Sequence, residues 1–176
     1  MVEGSMGSGM ETSLRYSSHY KNLRIHAKEK FPLDSKTLVQ THGEVEVGSK
    51  LPSLLAMSIR RFYPELSASI GVGLQFNSQD KFGYNIRVKK ALLLKSNPML
   101  HVNVKGRCNT DKDFKQKKAK SAIELAWSIL DFQKDQDVRI KVGYDLLEKA
   151  PYFQIRENNW TLNADISGNW NIRFDL

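Results

Sequence analysis

Basic residues recur at every second position in several short stretches: Arg24, His26 and Lys28; Arg87 and Lys89; Lys105 and Arg107; Arg139 and Lys141. In an extended chain, successive side chains point to opposite faces, so this spacing stacks positive charge along one side of a strand. Guanidinium groups grip phosphate or carboxylate oxygens in pairs, and ammonium groups act as mobile point charges. The chemistry open to such rows is reversible anion binding. Arg15, Arg60, Arg156 and Arg173 occupy the same face of their own alternating segments, and His26 and His101 accompany the rows as secondary members. Arg60 is followed by Arg61, so a one-residue slip in LLAMSIRRFY exchanges the two.

Bond-making chemistry is not spelled anywhere. His19, His26, His42 and His101 show no metal-ligand spacing, and no metal site is expected from them. Asp111 with Asp113 and Asp135 with Asp137 read as solvated turn residues, and no nucleophile, base and oxyanion donor can be assembled. Cys108 is the single cysteine, which excludes an internal disulfide or a cysteine-based zinc cluster. Gly71-Val72-Gly73 lies inside an alternating segment and reads as small strand positions, not a phosphate loop. No enzyme and no cofactor are expected.

The elements that must position the basic rows are strands. Alternation is cleanest over LSASIGVGLQF, where Leu66, Ala68, Ile70, Val72, Leu74 and Phe76 share one face, and over FGYNIRVK, where Phe82, Tyr84, Ile86 and Val88 do. About twelve strands follow, roughly 11–17, 21–30, 37–47, 54–63, 66–76, 82–92, 99–107, 121–131, 137–147, 151–158, 160–167 and 169–176. The five prolines fall between segments or at strand starts, where a missing N–H does no harm. Residues 108–120, CNTDKDFKQKKAK, read as one long polar and basic loop, a solvated loop first and, as the alternative, a vestibule in which Lys112, Lys115, Lys117, Lys118 and Lys120 gather anions. Residues 1–9 read as leader or linker, and 10–176 as a single domain.

Periodicity does not say which face looks inward. The net charge of +8 and the pI near 9.5 favour anionic partners. A soluble β-barrel binding an anionic or acyl ligand would bury its apolar face and show both signs of charge outside. A transmembrane barrel would do the reverse, with aromatic girdles at the two interfaces. Tyr16, Phe62, Tyr63, Phe76, Phe82, Tyr152, Trp160, Trp170 and Phe174 sit near strand ends on faces read as apolar, which suits the girdles. Aromatic residues lie mostly opposite the basic ones, which argues against base stacking and hence against nucleic acid. Both barrel readings remain open on these grounds.

Several stretches carry a family resemblance: METSLRY from Met10, IHAKEK from Ile25, RRFYPELSASIGVG from Arg60, FQKDQDVRI from Phe132, and PYFQIRENNWTLNADISGNWNIRFDL from Pro151. Together they resemble the chloroplast outer envelope pore proteins of about 21 kDa. The resemblance implies an all-β, closed, up-and-down antiparallel transmembrane β-barrel, complete in one chain and lying in the outer envelope of chloroplasts and other plastids. It implies an anion-selective, rectifying channel for phosphorylated metabolites such as triose phosphate, 3-phosphoglycerate and phosphate. ATP would act as a regulatory or blocking ligand and not as a cofactor. On that reading the bore is lined by Arg15, Arg24, Lys28, Arg60, Arg87, Lys89, Lys105, Arg107, Arg139, Lys141, Arg156 and Arg173. Twelve strands tilted by about 45° would give a backbone cylinder on the order of 26 Å across, narrowed by side chains to roughly 10–14 Å.

Overall fold

Each strand pairs with the next in sequence, and the last returns to the first. In the computed structural model, which describes residues 9–49, 52–78, 81–94, 97–133 and 136–176 apart from the side chains of 130–133, the strands are β1 (Gly9–Ser17), β2 (Asn22–Pro32), β3 (Thr37–Glu46), β4 (Pro52–Tyr63), β5 (Ala68–Asn77), β6 (Lys81–Leu93), β7 (Leu100–Asp111), β8 (Lys117–Gln133), β9 (Gln136–Asp145), β10 (Ala150–Glu157), β11 (Trp160–Asp165) and β12 (Trp170–Asp175). All pairings are antiparallel, and β1 meets β12 through Ser13–Asp175 to Ser17–Asn171, closing the barrel. Closure gives every strand two hydrogen-bonded neighbours and leaves no open edge, which hydrocarbon would not tolerate. The start of β1 and the end of β12 lie at one mouth, here called the terminal mouth.

The two sides of the wall are unambiguous. On β6, Asn85 is 2% exposed while Ile86 and Val88 are 51% and 44% exposed. Ile25, Leu55, Met57, Ile59, Ile70, Val72, Leu74, Leu125 and Val142 are exposed in the same way, forming an aliphatic band around the outside. Among the described residues the buried apolar side chains are only Leu38 and Ala126, and both face inward. A water-soluble barrel would have packed the aliphatic set centrally. The apolar face therefore looks outward, and the basic face looks into the bore.

Turn chemistry follows the acidic residues. Asp111 Oδ1 accepts from the Lys115 and Gln116 amides at 2.8 and 3.1 Å, and Asp145 Oδ1 accepts from those of Leu147 and Glu148 at 2.9 Å. At the β2–β3 turn the Lys36 amide donates to Asp34 at 2.7 Å and, with Thr37, holds that exposed carboxyl below the usual carboxylate range. Asp135, read as a turn residue, lies outside the described residues.

Three sequence expectations are corrected. The long loop shrinks to residues 112–116, because Cys108, Asn109 and Thr110 pair with Ala119, Lys118 and Lys117. A vestibule loop is replaced by a strand pair that carries Lys117, Lys118 and Lys120, with Lys112 and Lys115 in the short turn between the strands. Tyr152 does not join an outer girdle: it pairs with Gly143 and Asp165, on the bore side. Phe62 pairs with Ser69 and likewise shares the bore face with Arg60. Tyr16 with Trp170 (ring centroids 5.8 Å apart) at the far mouth, and Trp160 with Phe174 (4.6 Å) at the terminal mouth, do face outward, where ring bodies meet lipid and polar edges meet headgroups.

Gly71 and Gly73 both face the bore from β5 but are not equivalent. A Cβ on Gly73 would lie 2.5 Å from the Met57 carbonyl oxygen and 2.9 Å from the Ser58 Cα, whereas one on Gly71 would meet the Ile59 carbonyl at 3.4 Å. Backbone cannot swing aside as a side chain can. Gly73→Ala should therefore push β4 from β5 and lower stability by about 1–3 kcal/mol, while Gly71→Ala stays close to the parent. Urea unfolding of the two variants in detergent, read side by side, checks the contrast.

Candidate functional site

The site is the inner wall. Register places all twelve predicted cations on it, together with His26 and His101, and fixes Arg60 as the inward member of its pair: Arg60 faces Leu38 and Gly71, while Arg61 faces Thr37 and Ile70 on the outside. Because strands tilt, cross-strand neighbours form strips that climb the wall helically. One strip runs Arg139, Arg156, Thr161, Arg173, Arg15 and Arg24 from β9 through β12 to β2. A second runs Arg60, Gly71, Arg87, Arg107 and Lys120 from β4 to β8. Lys89 pairs with Lys105 beside the second strip, and Lys141 pairs with Gln154 beside the first.

The strips differ in their counter-charges. Glu44 takes Arg24 at 3.5 Å and Arg15 at 3.9 Å. Asp175 takes Arg156 at 3.2 Å and Arg173 at 2.5 Å. Glu124 holds Lys105 at 2.6 Å, and Glu11 holds Lys28 at 3.4 Å and also Lys30. Arg60, Arg87, Lys89, Arg107, Arg139 and Lys141 have no carboxylate within ion-pair distance among the described residues. Arg87 stands close enough to both Arg60 and Arg107 to be repelled by each. Gly71 between Arg60 and Arg87 has no side chain, so both guanidinium groups keep access to the bore. Beside them both amide atoms of buried Asn85, and Nε of Arg87, have no hydrogen-bond partner in the protein.

Several basic residues on the bore face escape the sequence reading, among them Lys30, His42, Lys118 and Lys120. Lys30 continues the period of Arg24, His26 and Lys28 and was legible there. Lys120 was hidden inside the supposed loop, and only the Arg107–Lys120 register shows its position. An inward aromatic was missed too: Tyr152 lies over Gly143, and its hydroxyl donates to Glu124 Oε1 at 2.6 Å.

A sequence with this outside and this bore has relatives. A family model described as the chloroplast outer envelope pore protein OEP21 matches residues 12–176. The chain belongs to that family. An Arabidopsis thaliana relative, outer envelope pore protein 21A, is 48% identical over 167 residues, covering 95% of this chain and all of the relative. Those of Oryza sativa subsp. japonica and Pisum sativum are 48% and 44% identical with the same coverage. Among solved structures, the KdgM porin superposes with a TM-score of 0.59 at 9% identity, covering 94% of this chain and 95% of that one. The NanC porin gives 0.53 at 8% identity, with 95% and 98% covered. Those likenesses support the porin-type barrel alone. As an OEP21 family member the chain is a chloroplast outer envelope channel, with a membrane-embedded barrel complete in one chain, and not an enzyme.

Proposed function

We propose that the channel selects anions and passes phosphorylated metabolites, with ATP entering the bore as a regulatory ligand that obstructs smaller anions. The observation that carries this reading is the second strip, where Arg60, Arg87 and Arg107 lie side by side with no carboxylate to neutralise them. In a low-dielectric wall, such a cluster concentrates anions and repels cations. A triose phosphate or phosphoglycerate offers oxygens that one guanidinium fork can grip, and adjacent forks give it successive weak sites along the helical strip. A triphosphate spans several forks at once and so dwells longer. Lys112, Lys115, Lys117 and Lys118 on the β7–β8 pair place four positive charges at the far mouth, which suits rectification.

Planar-bilayer recording of the refolded chain in asymmetric KCl tests the reading. The reversal potential should fall on the chloride side, and ATP should reduce the current reversibly while equimolar adenosine does not. A cation-side potential, or equal effects of ATP and adenosine, would remove the proposal.

A further inference from the structure

We propose that His26, His42 and Glu44 form a transition-metal site in the bore wall, of the class that takes Zn²⁺. These residues come from adjacent strands. His26 faces Glu44 directly across β2 and β3, and His42 stands one bore-facing position along from Glu44. Each offers a ligand atom, and the three atoms lie within 4.8 Å of one another; no other such group of three occurs among the described residues. The imidazole centroids are 4.0 Å apart, His26 is 5% exposed, and Glu44 Oε1 stands 3.8 Å from His42 Nε2. That Nε2 is buried and has no hydrogen-bond partner in the protein.

Zinc bonds of roughly 2.0–2.2 Å in tetrahedral geometry place ligand atoms about 3.3–3.5 Å apart. Side-chain rotation alone closes the remaining gap. Two imidazoles and one carboxylate suit Zn²⁺, Cu²⁺ or Ni²⁺ and offer little to Mg²⁺ or Ca²⁺, which want more oxygen ligands. Three protein ligands leave a fourth position toward the bore. Arg15, Arg24 and Lys28 face the same site and oppose a dication, and Glu44 must loosen its contacts with both arginines to bind one. Those contacts are long, so the exchange is feasible, and it returns Arg15 and Arg24 to the bore without their counter-charge. The histidines stand 16 positions apart in sequence, which is why no ligand spacing announces them. This site does not rest on the proposed anion selectivity.

The test is calorimetric titration of ZnCl₂ into the refolded full chain in detergent, with MgCl₂ as the hard-cation comparison, followed by imidazole NMR spectra. One Zn²⁺ per chain should bind, with the His26 and His42 resonances shifting while those of His19 and His101 stay. His42→Ala should weaken Zn²⁺ at least about ten-fold, and His19→Ala should not. Absence of Zn²⁺ binding, an equal response to Mg²⁺, parental affinity in His42→Ala, or shifts confined to His19 or His101 would each overturn the site. Where His42→Ala fails to fold, the spectra of the unaltered chain decide.

Discussion

Replacing Arg87 and Arg107 together with glutamate should lower the anion-over-cation permeability ratio by on the order of ten-fold, because it reverses the sign at arginines of the second strip that have no carboxylate partner, whereas Lys120 at its end is held by Glu148 at 2.8 Å. The comparison that gives this result meaning is Arg15 and Arg24 changed to glutamate in the same way. Both doubles alter the bore by the same formal charge. At about 0.15 M salt, however, the screening length is roughly 8 Å, so position matters as much as total. Arg15 and Arg24 already share Glu44, and the field they project is partly cancelled at its source. Arg87 and Arg107 share nothing of the kind. The reversal potential in asymmetric KCl should therefore move much further for the first double than for the second. In about 0.01 M salt, where screening extends to roughly 30 Å, the two should converge. Equal shifts at both salt concentrations would mean that selectivity follows net charge alone and that the second strip has no special part.

That contrast was not legible in the sequence, and the reason is geometric. Alternation in β5 and β6 is plain because lipid demands aliphatic residues on one side of the wall while the bore accepts glycine, asparagine and arginine on the other. The twelve strands and the inward face of each basic row follow from that demand. It stops at the membrane boundary. Cys108–Thr110 and Lys117–Lys120 form strand without an apolar period, held by pairing with each other, and so they read as loop. Pairing between charges depends on register: Asp175 meets Arg156 and Glu124 meets Lys105 only once the strands are laid side by side. Tyr152 failed for the same reason. An aromatic at a strand start resembles a girdle residue until Gly143 is found across from it, with no side chain to keep the ring from lying flat against the wall.

Tyr152 and Lys105 converge on Glu124, which is 5% exposed, and two substitutions there should separate stability from selectivity. Glu124→Gln keeps an oxygen to accept the Tyr152 hydroxyl but removes the charge. Lys105 then joins Lys89 as an uncompensated pair, and the bore gains one net positive charge. The reversal potential should shift further to the anion side, with the unfolding midpoint in detergent little changed. Glu124→Ala should give the same direction of shift and in addition lose the charge-assisted bond to Tyr152, about 1.5–3 kcal/mol. Gly143→Ala attacks the network from the other side. Its Cβ would fall 2.2 Å from Tyr152 Cζ, so the ring must swing into the bore and release Glu124. A displaced ring narrows the passage while Glu124 keeps its charge, so conductance should fall without a gain in anion selectivity. Single-channel conductance and reversal potential, recorded together with unfolding, thus distinguish three substitutions around one carboxylate. If all three shift selectivity alike, Glu124 does not set the charge available at Lys105, and the pairing read from the wall has no bearing on transport.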